Sequence, residues 1–202
     1  MEPVREVVGR AIPLDRSDVD TDTILPTAWL KAIGRTGFAD GLFAEWRKDP
    51  DFVLNDEARA GASILVTGPN FGIGSSREHA AWALLEYGFR VVISPRFGDI
   101  FRNNAAKAGL IPAVVDEQFG RELMDMVAQS PGSRLSIDVT TRRIAAAPGS
   151  LEGQFSLDEA VRQRFLHGLD DIDLTLKSEE AIGAYEKARA AWLPTTYRKV
   201  AL

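Results

Sequence analysis

Apolar and polar positions follow two rhythms along this chain: short β-branched runs, and longer stretches with helical spacing. The run Ala62-Ser63-Ile64-Leu65-Val66-Thr67-Gly68 predicts a buried strand. Residues 80–87 have a helical rhythm closed by Gly88, and Phe89-Arg90-Val91-Val92-Ile93-Ser94 predicts a second buried strand. Together they make a β-loop-α-β unit. The pattern then repeats, with a helix over 97–108 ending at Gly109 and a strand over 110–115. A further helix from Asp116 puts Phe119, Leu123, Met126 and Val127 on one face, with Met124 and Met126 as core filler. Residues 7–13 predict a first strand. Residues 134–139 and 143–147 predict a hairpin, although Thr140-Thr141-Arg142 is not a favoured tight turn. Helices are expected over 157–166, closed by Gly168, and over 178–192, capped by Ser178, before a flexible tail at 193–202. Residues 39–60 carry the aromatic anchors Phe43, Trp46 and Phe52 without a period, and are expected to wrap the surface. The alternation of strands and helices gives an α/β class in one domain, 1–192, and the hairpin breaks simple doubly wound order.

The loop joining the first buried strand to its helix is the densest in chemistry: Gly72-Ile73-Gly74-Ser75-Ser76-Arg77-Glu78-His79. Ser75 and Glu78 have capping-box spacing, which predicts a helix starting at Ser75. A helix start there would seat an anion on free N–H groups, and Arg77 adds a planar, always-charged fork for a carboxylate or phosphate. Three readings compete. A dinucleotide loop lacks its third glycine, Arg77 standing in that place, and no G-K-[ST] follows. A hydrolase elbow lacks G-x-S-x-G, and His79 follows the serine on the same helix. A small-acid site would use Arg77 to grip a carboxylate and a serine for acid–base work. The bland alternative is that Ser75 caps, Glu78 completes the box and Arg77 is a surface residue.

Composition narrows the classes. A net charge of −5 argues against a general nucleic-acid or anionic-membrane binder. No apolar run approaches a membrane span and Met1-Glu2-Pro3-Val4-Arg5-Glu6 is unlike a signal peptide, so the cytoplasm is expected. The chain has no cysteine, which excludes disulfides, a cysteine nucleophile and a thiolate-held iron–sulfur cluster within it. Asp18, Asp20 and Asp22 alternate as in a calcium loop, but Thr23 and Trp29 stand where glycine and the bidentate glutamate are needed, so no metal is expected here. Those aspartates equally suit Asx turns. His167, at a helix end, suits the dipole better than catalysis.

Gly74-Ser75-Ser76-Arg77-Glu78-His79-Ala80, with Ser94-Pro95-Arg96-Phe97-Gly98-Asp99-Ile100-Phe101-Arg102-Asn103-Asn104 and Gly109-Leu110-Ile111-Pro112, resembles the swivelling domain of the aconitase superfamily. The likeness is strongest to the small-subunit family of bacterial 3-isopropylmalate dehydratases. Val19-Asp20-Thr21-Asp22-Thr23-Ile24-Leu25-Pro26, Arg35-Thr36-Gly37-Phe38, Asp51-Phe52-Val53-Leu54-Asn55 and Gly168-Leu169-Asp170-Asp171-Ile172 extend it from about residue 12 to about 192. The resemblance implies an α/β fold of the β/β/α swivelling type with a mixed sheet.

It implies a hydro-lyase that interconverts 2- and 3-isopropylmalate through 2-isopropylmaleate, in leucine biosynthesis. This chain would bind no cofactor; a 4Fe-4S cluster would sit on three cysteines of a separate large subunit. Ser75 is then the base, acting as an alkoxide stabilised by nearby N–H donors and Arg77. Ser76 and Arg77 bind substrate carboxylate, and Asp20-Thr21-Asp22 borders the cleft. By the resemblance, residues 27–38 form a mobile loop that reads the substrate, with Leu30 or Ile33 meeting the isopropyl group and Arg35 or Lys31 a carboxylate; the residues alone favour a short amphipathic helix packing Trp29, Leu30 and Ile33 into the core. Glu78 and His79 are scaffolding. The family more often has Asn where Asp18 stands, which would lose any bond that amide donates. A homoaconitase-like subunit or a non-enzymatic anion-binding module are the alternatives.

Overall fold

Seven strands form the frame of the computed structural model: β1 (Glu6–Leu14), β2 (Ile64–Thr67), β3 (Val91–Ser94), β4 (Ile111–Val115), β5 (Arg134–Asp138), β6 (Arg143–Ala146) and β7 (Glu152–Ser156). The structure describes residues 2–31, 36–146, 149, 151–190 and 192–193. The strands close into a barrel in the order β1-β2-β3-β4-β7-β6-β5. β1 to β4 are parallel neighbours, and β4-β7-β6-β5 returns antiparallel to β1. This is the mixed α/β sheet that the family resemblance implied.

The parallel strands are apolar on both faces because both faces are covered. One buried cluster draws on all seven strands, including Ala11, Ile64, Val91, Ile111, Ile137, Ile144 and Phe155. Leu123, Met124 and Val127 of α4 (Glu117–Gln129) complete it; of the face that the periodicity marked, Leu123 and Val127 are buried and Phe119 and Met126 are partly buried against it. Alternate residues, Ile12, Leu65 and Val92 among them, face a second cluster with α2 (Glu78–Tyr87) and α3 (Asp99–Ala108). Gly88, Gly109 and Gly168 close α2, α3 and α5 (Glu159–His167) as expected.

Several expectations are refined or corrected. Residues 39–60 follow the surface as short 3-10 turns, anchored by Leu42, Phe43, Phe52 and Leu54 buried in the second cluster. Aromatic contact drives this: Phe43 stacks on Trp46 at 5.4 Å, and Phe52 meets both rings. The unfavoured hairpin turn forms because Asp138 accepts from Thr140 N, Thr141 N and Thr141 Oγ1. The last helix, α7 (Glu179–Ala188), stops short of Trp192, with no buried residue to extend it and Arg189 already extended.

Three elements lie outside the sequence expectation. Strand β7 buries only Phe155, so it carries no alternating apolar pattern to read. Helix α6 (Asp171–Leu176) begins with a capping box between Asp170 and Asp173. Asp171 then bridges Arg164 at 2.5 Å and Lys107 at 3.6 Å, fastening α6 to α5 and α3. The third is the single-turn α1 (Thr21–Ile24), capped by Asp20. The expected tail falls outside the described residues from 194 onward.

Candidate active site

The segments that follow β1, β2 and β3 meet at the C-terminal ends of the parallel strands, where α/β sheets gather ligands. The loop from Phe71 to Arg77 is pinned on both sides. Gly72 N and Ile73 N donate to the Val19 carbonyl, and Thr21 N donates to that of Ile73 at 2.9 Å. Thr21 Oγ1, almost wholly buried, donates to the Ser75 carbonyl at 3.0 Å. On the other side Phe71 N donates to Arg96 O, and Gly98 N donates to Phe71 O. Gly72 has φ +74 and lies against the Phe101 ring, where a Cβ would come within 2.2 Å of a ring carbon.

This pinning displaces the expected helix start. α2 begins at Glu78 with extended Arg77 before it, and no side-chain cap bond is made. Ser75 and Glu78 form no capping box, since the helix begins only at Glu78; the carbonyls of Ile73 and Ser75 accept from Thr21 N and Thr21 Oγ1 and pin the chain before it. Ser75 and Ser76 are exposed in the loop, and no hydrogen bond engages the Ser75 hydroxyl among the described residues. The bland capping role is therefore gone, and a free hydroxyl remains.

Arg77 is not a loose surface cation. Its Nη1 donates to Asp22 Oδ1 and lies 3.4 Å from Thr27 Oγ1, with its side chain 17% exposed. Both contacts use Nη1, which leaves the Nε–Nη2 edge for a bidentate carboxylate. Asp20 caps α1 through Thr23 N at 2.6 Å and forms a parallel bridge with Ile73. Asp18, at φ +56, accepts from Asn70 Nδ2. The structure thus brings Asp20, Thr21, Asp22, Ser75, Ser76 and Arg77 to one place. The bonds that Asp20 and Asp22 make are structural ones that shape this loop.

Leu30 lies in a 3-10 turn, Thr27–Lys31, and packs with Trp29 on the second cluster. Ile33, Arg35 and the Lys31 side chain fall outside the described residues. His79 packs against Phe38 edge-on at 5.2 Å and against Trp82 at 4.7 Å, in keeping with scaffolding. His167 at the end of α5 pairs with Gln163 Oε1. Ser75 and Ser76 are exposed and Arg77 is partly so. A cavity of about 1090 Å³ lies elsewhere, between α3, β4, β7 and α5, and touches none of these residues. Among the described residues no group of three or more His, Asp or Glu could hold a metal, and no helix is long and apolar enough to cross a membrane.

Residues 1–118 match the family model of the aconitase C-terminal domain, and residues 171–199 match the model for the C-terminal domain of the 3-isopropylmalate dehydratase small subunit. A 3-isopropylmalate dehydratase small subunit of Acidothermus cellulolyticus is 56% identical, over 97% of this chain and 98% of its own. One from a Nocardioides species is 54% identical over 93% and 94%.

The chain belongs to the 3-isopropylmalate dehydratase small-subunit family.

A solved structure agrees: the 3-isopropylmalate dehydratase chain of Methanocaldococcus jannaschii superposes with a TM-score of 0.65 at 26% identity, covering 90% of this chain and 99% of that one. Within this small-subunit fold, sequence reasoning passed over the bonds of Thr27 and the Val19 carbonyl, which hold Asp22 and the loop at Gly72, and over Glu86, which accepts from the backbone of residues 37–39. An exposed helical glutamate and a backbone oxygen give no pattern that could reveal them.

Proposed function

We propose that this chain is the small-subunit half of a hydro-lyase active site, which interconverts 2-isopropylmalate and 3-isopropylmalate by dehydration to 2-isopropylmaleate and rehydration. The observation that carries the residue assignment is the unengaged Ser75 hydroxyl, two residues from Arg77 on a loop that five backbone bonds and Thr21 hold still. Dehydration removes a proton from a carbon beside a carboxylate and expels hydroxide from the adjacent carbon, to the Lewis acid that the partner subunit would supply. Ser75 Oγ, as an alkoxide, takes that proton; in rehydration hydroxide adds to one alkene carbon and Ser75 returns the proton to the other, which restores the alkoxide. A serine is a weak acid, so its anion needs donors in a dry cleft; Arg77 and the N–H groups opening α2 are the donors that follow it in the chain. Ser76 and the free edge of Arg77 hold a substrate carboxylate. Asp20 and Thr21 keep the loop in place, and Asp22 orients Arg77. Leu30 and Arg35 read the substrate's side chain and second carboxylate.

The residues of this chain do not fit a 4Fe-4S cluster: there is no cysteine, and the described residues gather no alternative ligand set. The cluster is assigned to a cysteine-bearing large subunit. The exposed serines before Arg77 suit a site completed by that partner in the cytoplasm. Co-expression with a large subunit, followed by assay on 2-isopropylmalate, on a straight-chain hydroxy diacid, on the tricarboxylate homocitrate and in buffer alone, tests the reading. Turnover of 2-isopropylmalate by the pair and by neither chain alone is expected. Turnover by this chain alone, or preference for a straight-chain diacid or for homocitrate, overturns it.

A further inference from the structure

Helix α2 holds the segment that reads substrate in the proposal above at both of its ends. At the entry, Arg77 bonds Asp22, whose Oδ1 also accepts from Thr27 Oγ1 at 2.9 Å. At the exit, one oxygen of Glu86 accepts three successive backbone N–H groups: Gly37 at 3.0 Å, Phe38 at 2.6 Å and Ala39 at 3.2 Å. Phe38 between them is fully buried, edge-on to His79 at 5.2 Å and against Trp82 at 6.0 Å. His79, Trp82 and Glu86 follow i, i+3, i+7 spacing, so one stripe of α2 makes the whole exit anchor. Three N–H donors converging on one anionic oxygen form charge-assisted bonds, stronger than neutral ones and directional. Glu86 itself is exposed, so neither core packing nor a helical pattern accounts for it.

We infer that Glu86 is a positioning residue for substrate recognition, fixing the backbone at 37–39, where the 27–38 segment of the functional reading ends. It touches no substrate. This rests on the functional reading above, in which the 27–38 segment contacts the substrate. A residue acting this way moves KM and leaves the chemical step alone.

The test uses Glu86→Ala and Glu86→Gln in the pair with its large subunit, with Glu117→Ala as an exposed helical control. Amide hydrogen exchange is read at residues 37–39, alongside KM and kcat for 2-isopropylmalate. Expected for Glu86→Ala are exchange at 37–39 about tenfold faster, KM about tenfold higher and kcat within about twofold. Glu86→Gln, which keeps an acceptor and loses the charge, should fall between, so a folding defect in the alanine variant does not decide the matter. Unchanged exchange overturns the anchor. Faster exchange with parental KM overturns the positioning role. A parental pair inactive on 2-isopropylmalate overturns the functional reading instead, and the positioning role with it, while exchange still reports whether the anchor exists.

Discussion

The guanidinium of Arg77 donates through Nη1 to the carboxylate of Asp22, joining the residue before α2 to the short helix α1 across 55 positions of chain. The Asp22 side chain is 49% exposed, so solvent screens the pair and it adds little to stability. Its consequence is orientation. Because Asp22 occupies Nη1 and Thr27 stands beside the same nitrogen, the guanidinium plane is fixed before any ligand arrives. Pre-set geometry of this kind lowers the ordering cost of binding.

Asp22→Ala should therefore weaken substrate binding more than folding. Losing one orienting hydrogen bond, ~1 kcal/mol, corresponds to a KM about fivefold higher. Melting should stay close to the parent, since exposed ion pairs contribute roughly 0–1 kcal/mol. Steady-state kinetics and a thermal melt of the same preparation read both. A parental KM would mean that Arg77 orients without Asp22.

Gly72 gives a packing prediction. Its φ of +74 and the Phe101 ring carbon 2.2 Å from an added Cβ leave no room for a side chain. Opposite it, a Cβ on Gly98 would come within 2.4 Å of the Gly72 carbonyl oxygen. Gly72→Ala should cost roughly 1–3 kcal/mol through overpacking, with backbone strain adding to it. Denaturant unfolding measures this, and a variant as stable as the parent would show that Phe101 gives way freely.

Much of the frame was legible because its signals are local and strong. Residues 64–67, 91–94 and 111–115 are short apolar runs bounded by glycine or turn residues, and each is a barrel strand. α4 shows its apolar stripe in the sequence and buries it. What escaped was set by partners distant in sequence. β7, Glu-Gly-Gln-Phe-Ser, is a strand because β4 and β6 pair with it. The site residues were named from motifs, yet their bonds were not: Ser75 reads as an N-cap, but α2 begins at Glu78 and Thr21, 54 positions earlier, holds the Ser75 carbonyl. Local propensity at Ser75 lost to a tertiary contact.

Glu159 sets a pH dependence. Hydrogen bonds from Arg162 and then Gln163 lower its pKa from 4.5 to about 2; desolvation opposes them, and the charges of Arg162 and Arg142 assist. A carboxyl whose folded value lies below its unfolded one stabilises the fold above the unfolded value, and loses that contribution as pH falls towards the folded value. The contribution should be whole at pH 7 and fade between about 4.5 and about 2. Urea midpoints of parent and Glu159→Gln should differ at pH 7 and converge at the acid end of that window. A difference independent of pH would assign the effect to packing.

Ser75 separates structure from chemistry more sharply than its sequence context suggests. Were it an N-cap, Ser75→Ala would cost ~0.5–2 kcal/mol. In the structure α2 starts at Glu78, and the Ser75 hydroxyl bonds nothing among the described residues. Its backbone carbonyl makes the contact with Thr21, and alanine keeps that carbonyl. The exposed side chain should then be removable within about 0.5 kcal/mol, as for surface positions without special contacts. Turnover should respond quite differently. Removing a positioned acid–base group costs about 10²–10⁴-fold in rate, and an alanine offers no replacement oxygen. Ser75→Ala should assemble with the large subunit, melt with the parent, bind 2-isopropylmalate with similar affinity and lose turnover by at least a hundredfold. Size-exclusion of the pair, a melt, a binding titration and kcat on one preparation cover the four expectations. Activity that falls only as far as stability does would return Ser75 to a structural role, and near-parental turnover would move the search for the base to another residue.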